Sequence, residues 1–189
     1  MGRWKWKSLA LISPPGEVHK NWVIFPEKIN GRYAILHSIN PEIKIDYFDS
    51  FEFEDNACIN SCHGGRPRKN CWDKWVRGVG PVPIKTKYGW LVFYHAMDND
   101  WSKYKVGAML LDLKDPTKIL HRSKEPILEP DQPYENNGFK AGVVYASGAV
   151  VKDSNLLVYY GSADNYICVA HANFGQFLEA LRKEQQPKL

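Results

Sequence analysis

The chain has 189 residues, 24% of them charged, and its formal net charge is +4 at pH 7. This length suits one domain with a buried core, so we expect residues 1–189 to form a single domain. The charges form no basic helix or arginine run, and no apolar run approaches the roughly 20 residues of a membrane span. These features argue against nucleic acid and membranes as partners and favour a cytoplasmic protein.

A hairpin pattern recurs three times along the chain, at residues 25–37, 82–95 and 147–160. In each copy a short apolar stretch leads into a polar turn and then into a run of aromatic and β-branched residues. This pattern predicts β-hairpins. Hairpins repeated with insertions between them are typical of propeller blades, and propellers bind ligands on their axis.

The other elements predicted from the sequence are mostly strands. Alternation predicts strands at residues 43–48, 104–112, 118–122 and 166–171, and only residues 174–183 have helical spacing. Residues 51–75 and 126–142 lack periodicity and are predicted to be loops. We therefore predict an all-β fold of nine or ten strands with one C-terminal helix, enough for two and a half to three four-stranded blades.

Three of the four cysteines lie close together, at Cys58, Cys62 and Cys71, with His63 beside them. A zinc cluster is conceivable, but the paired Cys-x-x-Cys spacing is absent and His63 directly follows Cys62, which strains shared ligation. The spacing favours reduced free thiols, and we expect no metal.

Aromatic residues make up 13% of the chain. Strand propensity alone enriches tyrosine and tryptophan, but aromatic rings also stack on sugars. Trp90 and Tyr94, inside the second hairpin, are expected in the core. Better candidates for a sugar platform lie on the segments predicted to be irregular: Trp72, Trp75, Tyr134 and Phe139.

Six ordered motifs resemble the second half of family 130 of the glycoside hydrolases, which contains the β-mannoside phosphorylases and related β-mannosidases. The resemblance covers about residues 4–172 and rests on residues 25–33, 78–95, 107–113, 115–118, 126–130 and 159–164. It implies a five-bladed β-propeller, of which this chain would form about three blades. It also implies an oligosaccharide substrate, no cofactor, inorganic phosphate as a co-substrate, and a possible homo-oligomer.

In the family, phosphate attacks the anomeric carbon with inversion while one aspartate acts as general acid through a sugar hydroxyl. That aspartate belongs to a Glu-Asp-Pro-Arg motif upstream of the stretch matching Phe25. This chain contains no such motif. We therefore expect the general acid to lie upstream of this chain, which would then supply no catalytic aspartate and form only a partial propeller.

The resemblance also implies a phosphate site. Lys20 and His95 match two of the family's phosphate-binding residues, while Ser38 stands where the family has an arginine. Val76 stands where the family has a lysine, and the adjacent Arg77 is a candidate substitute because guanidinium binds anions in a bidentate manner. From spacing alone, His95 reads instead as a half-buried histidine bonded to a loop. Because serine replaces the family's arginine, hydrolysis remains an alternative to phosphorolysis.

The expected sugar-binding residues are Lys28, His37, Tyr134 and Asp164. Asp164 matches a family aspartate that reaches the sugar pocket, although a turn-capping role is the simpler interpretation of its position. Besides a phosphorylase, the sequence leaves open an inverting β-mannosidase, a non-catalytic glycan-binding propeller and a scaffold for protein partners.

Overall fold

The computed structural model describes residues 11–13, 20–38, 43–54, 57–59, 62–63, 68, 70–97 and 102–189. This part of the chain is all-β, and the two helices are short. The elements in chain order are β1 (Leu11–Ile12), β2 (Lys20–Ile24), β3 (Tyr33–Ser38), β4 (Ile43–Phe48), β5 (Ala57–Cys58), β6 (Cys62–His63), β7 (Trp75–Val79), β8 (Ile84–Thr86), β9 (Gly89–Met97), β10 (Tyr104–Leu111), β11 (Ile119–Arg122), α1 (Pro133–Asn136), β12 (Val144–Lys152), β13 (Asn155–Ser162), β14 (Tyr166–Asn173) and α2 (Phe174–Arg182).

Three antiparallel sheets account for most of these strands. The first sheet has the order β2-β3-β4-β6, and the middle sheet the order β11-β10-β9-β7 with β8 also paired to β9. The third sheet has the order β12-β13-β14. The three predicted hairpins are confirmed as β2-β3, β8-β9 and β12-β13.

Strand β9 is the centre of the molecule because both of its faces are covered. Trp90, Val92 and Tyr94 pack with the first sheet in one core cluster. Leu91 and Phe93, which point the other way, pack with the third sheet in a second cluster. Side chains alternate along a strand, so the unbroken apolar run of β9 reads as a strand buried on both faces. The prediction that Trp90 and Tyr94 belong to the core is confirmed.

The C-terminal helix closes the second core cluster. Asn173 caps α2 by accepting a hydrogen bond from the Gln176 backbone N–H at 3.0 Å. Phe177, Leu178 and Leu181 are buried, as the helical spacing predicts. No helix in the described part of the chain is long and apolar enough to cross a membrane.

The sequence prediction was incomplete where the pattern is weak. Strand β7 begins at Trp75, inside the segment predicted to be a loop, and a single-turn helix, α1, lies in the other predicted loop. Fourteen strands are present in the described residues instead of nine or ten, and the sheets have four, five and three strands. Strands β1 and β5 form an additional parallel pair.

A buried ion network ties the segment before β7 to the middle sheet. Asp73 is fully buried, and its carboxylate accepts hydrogen bonds from Arg68 at 2.8 and 3.1 Å and from the Tyr94 hydroxyl at 2.7 Å. Arg122 lies 2.9 Å from the same carboxylate and donates to the Tyr94 hydroxyl at 3.1 Å. The network therefore holds one charged loop against strands β9 and β11.

Three cysteines, Cys58, Cys71 and Cys168, carry free thiols. The side chains of Cys62 and His63 lie outside the described residues, and so does that part of the possible zinc cluster. Within the described residues, no group of histidine, cysteine and carboxylate side chains has the arrangement of a metal site.

Candidate functional site

A cavity of about 580 Å³ opens where the middle and third sheets meet. Strand β7 contributes Arg77 and β10 contributes Tyr104, while Tyr145 extends from β12 and Asp164 follows β13. The lining residues are Arg77, Met97, Ser102, Tyr104, Lys140, Ala141, Val143, Tyr145 and Asp164. Because these residues come from separated segments, the cavity exists only in the folded chain.

The charged groups in this cavity favour an anion. Among the described lining residues, Arg77 and Lys140 are cationic and Asp164 is the one carboxylate. Burial raises the pKa of Tyr104 to about 12, although the Arg77 side chain beside its hydroxyl opposes the shift. Burial also raises the pKa of Tyr145. Both phenols are therefore neutral hydrogen-bond donors at neutral pH.

His95 lies behind the cavity wall. Its side chain is fully buried, and its ring stacks on Tyr145 with 3.9 Å between centroids and 16° between planes. Burial lowers the pKa of His95 to about 3, and the backbone groups of Ala146 and Gly78 offset this only in part. Neither ring nitrogen meets a described partner with good hydrogen-bond geometry. His95 is therefore neutral and supports the Tyr145 ring. A neutral imidazole keeps one N–H donor, so its contact with an anion stays a prediction.

The packing around His95 explains why residues 78 and 80 are both glycine. Gly78 has φ of +140° at an irregularity in the β7–β9 register, which places it opposite His95. A Cβ atom on Gly80 would lie 2.0 Å from the Ala146 carbonyl oxygen and 2.7 Å from the His95 ring. The second glycine therefore lets the middle sheet approach the third sheet closely.

Gly80→Ala is expected to destabilise the protein by about 1–3 kcal/mol, the usual cost of overpacking, because its methyl group would collide with backbone. Gly161→Ala is the matched control, since a Cβ at that strand position meets no atom within 4 Å. Urea denaturation followed by tryptophan fluorescence would compare the two variants. Equal midpoints would contradict the close approach at Gly80.

Asn21 connects all three sheets at the cavity. Its side-chain amide donates to the Arg77 carbonyl at 3.3 Å, and its side-chain oxygen accepts from the Tyr145 hydroxyl at 2.9 Å. Asn21 has φ of +60°, a conformation that asparagine tolerates better than most residues. Sequence reasoning did not identify Asn21 as a site residue. The left-handed backbone preference of asparagine inside a strand pattern was the one available signal.

The wall that carries Lys140 is anchored by a buried carboxylate. Glu135 is 1% exposed, accepts from the Asp131 and Gln132 backbone N–H groups at 2.9 Å, and accepts from the Tyr160 hydroxyl at 2.9 Å. Lys140 donates its backbone N–H to the Ala163 carbonyl at 2.9 Å. Lys140 was missed because nothing in the predicted loop marks this residue as part of a site.

The predicted anion-binding residues converge only in part. Arg77 lines the cavity, and the β7–β9 pairing brings His95 close to it. The Lys20 backbone pairs with Ser38, and the neighbouring Asn21 reaches Arg77. The Lys20 side chain lies outside the described residues, so its contact with an anion stays a prediction.

Among the predicted sugar-binding residues, only Asp164 lines the cavity, where it has φ of +50°. Lys28 lies in the β2–β3 turn, at the opposite end of β2 from Asn21, with its amino group 4.4 Å from the centre of the Tyr33 ring. The structure therefore does not bring Lys28 to the cavity. His37 is fully buried, edge-on to the Trp22 ring at 6.3 Å, and is not a lining residue.

Of the four aromatic residues predicted as a sugar platform, two are packed into the fold and two are exposed. Trp72 packs on the core and stacks on Tyr94 at 5.9 Å, and Trp75 begins β7 instead of lying on an irregular segment. Tyr134 and Phe139 are 41% and 90% exposed, and Phe139 directly precedes the cavity-lining Lys140. These two keep the exposure that a sugar platform requires.

The chain is similar to several mannoside phosphorylases. A family model described as beta-1,4-mannooligosaccharide phosphorylase matches residues 9–183. A 1,2-beta-oligomannan phosphorylase from Thermoanaerobacter sp. is 43% identical over 168 residues, covering 88% of this chain and 53% of that relative. A beta-1,4-mannooligosaccharide phosphorylase from Ruminococcus albus is 29% identical over 158 residues, covering 80% of this chain and 47% of that relative.

The fold is also similar to a solved structure. The beta-1,2-mannobiose phosphorylase from Listeria innocua, in complex with beta-1,2-mannobiose, has a TM-score of 0.78 and 39% sequence identity. That match covers 90% of this chain and 48% of the Listeria chain. The chain thus spans about half the length of the curated relatives it matches.

Proposed function

We propose a phosphate-dependent role in β-mannoside cleavage for this chain, which belongs to family 130 of the glycoside hydrolases. The three sheets would be three blades of a five-bladed propeller. The outer face of the third sheet supports this arrangement, because Tyr159, Ile167 and Val169 are 42%, 91% and 52% exposed there. Apolar surface of this kind is normally covered by another packed layer.

The charge of the cavity is the observation that carries the proposal. Arg77 and Lys140 face one carboxylate, Asp164, among the described lining residues. An inverting hydrolase needs a second carboxylate to activate water, whereas phosphate is already a nucleophile and needs cations to hold it. Arg77 and Lys140 would bind phosphate, and the Tyr104 hydroxyl would donate a further hydrogen bond.

Asp164 would orient the mannosyl unit through its hydroxyl groups. A phosphate oxygen would form the bond to the anomeric carbon while the bond to the leaving sugar oxygen breaks. The leaving oxygen would take a proton from a general acid. We propose that this acid is supplied by a part of the propeller outside these 189 residues, consistent with the absence of a Glu-Asp-Pro-Arg motif.

We propose a β-1,2 linkage for the substrate. The relatives whose names specify this linkage are 43%, 40% and 39% identical to the chain. The β-1,4-specific relative is 29% identical, although the family model carries the β-1,4 description. The pairwise identities are the better guide because one family model describes enzymes of several linkages.

The test is an incubation of the full-length gene product with β-1,2-mannobiose, with and without inorganic phosphate. Nuclear magnetic resonance should detect mannose 1-phosphate only when phosphate is present. Arg77→Ala should raise KM for phosphate about tenfold or more, because charge-assisted hydrogen bonds contribute about 1.5–3 kcal/mol. The control variant Lys85→Ala alters a lysine that pairs with Glu27 outside the cavity.

Two other results would overturn the proposal. Free mannose released equally fast without phosphate would identify a β-mannosidase. Binding of the mannoside with no cleavage under either condition would identify a glycan-binding propeller.

A further inference from the structure

The Tyr145 side chain makes two separate kinds of contact at the cavity. Its ring stacks on the buried His95 ring with 3.9 Å between centroids, and it lies 6.1 Å from the Tyr104 ring with 23° between planes. Its hydroxyl donates a hydrogen bond to the side-chain oxygen of Asn21 at 2.9 Å. Stacking therefore holds the ring, and the hydroxyl can be removed without removing that packing.

Asn21 passes this restraint on to the middle sheet. The register of β2 and β3 shifts between Lys20 and Val23, so Asn21 lies where the ladder is irregular, with φ of +60°. Its side-chain nitrogen donates to the Arg77 carbonyl at 3.3 Å. Because the carboxamide is planar, the hydrogen bond that Tyr145 makes to its oxygen also sets the direction of its N–H groups.

Arg77 lies at an irregular point of its own strand. The β7–β9 register pairs Val76 and Gly78 with consecutive residues of β9, so Arg77 is the extra residue of a β-bulge. An extra residue of this kind bends the strand and redirects a side chain. The Arg77 side chain extends from the bulge into the cavity, where it lies beside the Tyr104 hydroxyl.

The bulge makes the position of Arg77 sensitive to the Asn21 amide. A bulged residue lacks the ladder pairing that fixes its neighbours, so a hydrogen bond to its carbonyl carries more of the restraint. A guanidinium binds phosphate through directional hydrogen bonds, which weaken steeply when their geometry is lost. Loosening the carbonyl would therefore weaken phosphate binding although the cation itself is still present.

We propose that Tyr145 is a positioning residue for the phosphate, acting through Asn21 on Arg77 and not through contact with the phosphate itself. This inference rests on the proposed function and deepens it, because it assigns a side chain of the third sheet to the placement of a cation on the middle sheet. Since Asn21 belongs to the first sheet, phosphate affinity would depend on how all three sheets meet.

Steady-state kinetics of the full-length gene product, with β-1,2-mannobiose and varied inorganic phosphate, would test this role. Tyr145→Phe keeps the ring and removes the hydroxyl. It should raise KM for phosphate about threefold to tenfold, and change kcat and KM for mannobiose less than about twofold. Calorimetry with phosphate alone should show the same loss of affinity. Tyr88→Phe is the control, because Tyr88 lies outside the cavity and its ring keeps the contact with Arg182.

A double-mutant cycle with Asn21→Gly shows whether Tyr145 acts through Asn21. Glycine adopts a φ of +60° without strain, so the backbone is kept while both hydrogen bonds of the amide are lost. In the Asn21→Gly background, Tyr145→Phe should cause no further rise in KM for phosphate, because the residue through which it acts is already gone.

The other outcomes separate this inference from the proposed function. An unchanged KM for phosphate in Tyr145→Phe would overturn the positioning role, even if the variant unfolds at a lower urea concentration. An equal rise in both KM values, or a rise that persists in the Asn21→Gly background, would also overturn it, because the hydroxyl would then contact a ligand directly. The proposed function survives these results. If the unaltered protein binds no phosphate, both the proposed function and the positioning role fail.

Discussion

Asp73→Ala is expected to lower the free energy of unfolding by about 3–5 kcal/mol, the range observed when one partner of a buried ion pair is removed. Asp73 is fully buried and accepts hydrogen bonds from Arg68 and Tyr94, and Arg122 lies 2.9 Å from its carboxylate with a side chain only 7% exposed. Removing the carboxylate would leave two guanidinium groups close together without the anion that separates them.

Urea denaturation would measure this loss against a surface control. Asp49→Ala removes an aspartate that is 87% exposed and pairs with Arg32 at 3.0 Å, and such exposed pairs contribute about 0–1 kcal/mol. Asp73→Asn, which keeps the shape of the side chain but not its charge, should fall between the two. A loss in Asp73→Ala no larger than in Asp49→Ala would show that the buried network contributes little to stability.

Lowering the pH from 7 to 4 is expected to reduce the free energy of unfolding by about 3 kcal/mol through His95 alone. In the unfolded chain the imidazole takes up a proton below its ordinary pKa of 6.5, whereas burial keeps the folded imidazole neutral down to about pH 3. The unfolded state therefore binds more protons across this window. The contribution is fully present above pH 6.5 and is lost as the pH falls.

Glutamine does not titrate, so the free energy of unfolding of His95→Gln should fall by about 3 kcal/mol less between pH 7 and pH 4 than that of the unaltered protein. This difference does not depend on how stable the variant is at pH 7. His171→Gln is the control, since His171 is exposed on β14. Guanidinium denaturation at pH 7, 6, 5 and 4 would compare both variants with the unaltered protein. Identical slopes for His95→Gln and the unaltered protein would mean that His95 is accessible to protons in the folded chain.

The sequence predicted those strands and helices whose residue pattern is contained within one short segment. Alternation within residues 82–95 predicted the second hairpin, and helical spacing predicted α2 with its buried residues. Strand β7 was missed because its five residues include a glycine in an unusual conformation at a register shift. Such a strand forms because β9 offers it hydrogen bonds, not because its own residues favour it.

The residues of the candidate site were also predicted only in part. Motifs in the sequence indicated the family and, through it, Arg77 and Asp164. They did not indicate that Lys28 lies in the turn after β2, away from the cavity, or that Lys140 completes the cavity. Position along a strand is visible in the sequence, but which strand ends meet depends on how the sheets pack.

His95 illustrates what the sequence determined and what required the tertiary structure. The sequence by itself placed His95 on a hairpin strand, one residue after a core tyrosine and so on the opposite face. Only the packing of the third sheet decided that Tyr145, fifty positions further along the chain, covers that face and stacks on the ring. Burial and charge state depend on neighbours distant in sequence, because desolvation is produced by whatever lies close in space.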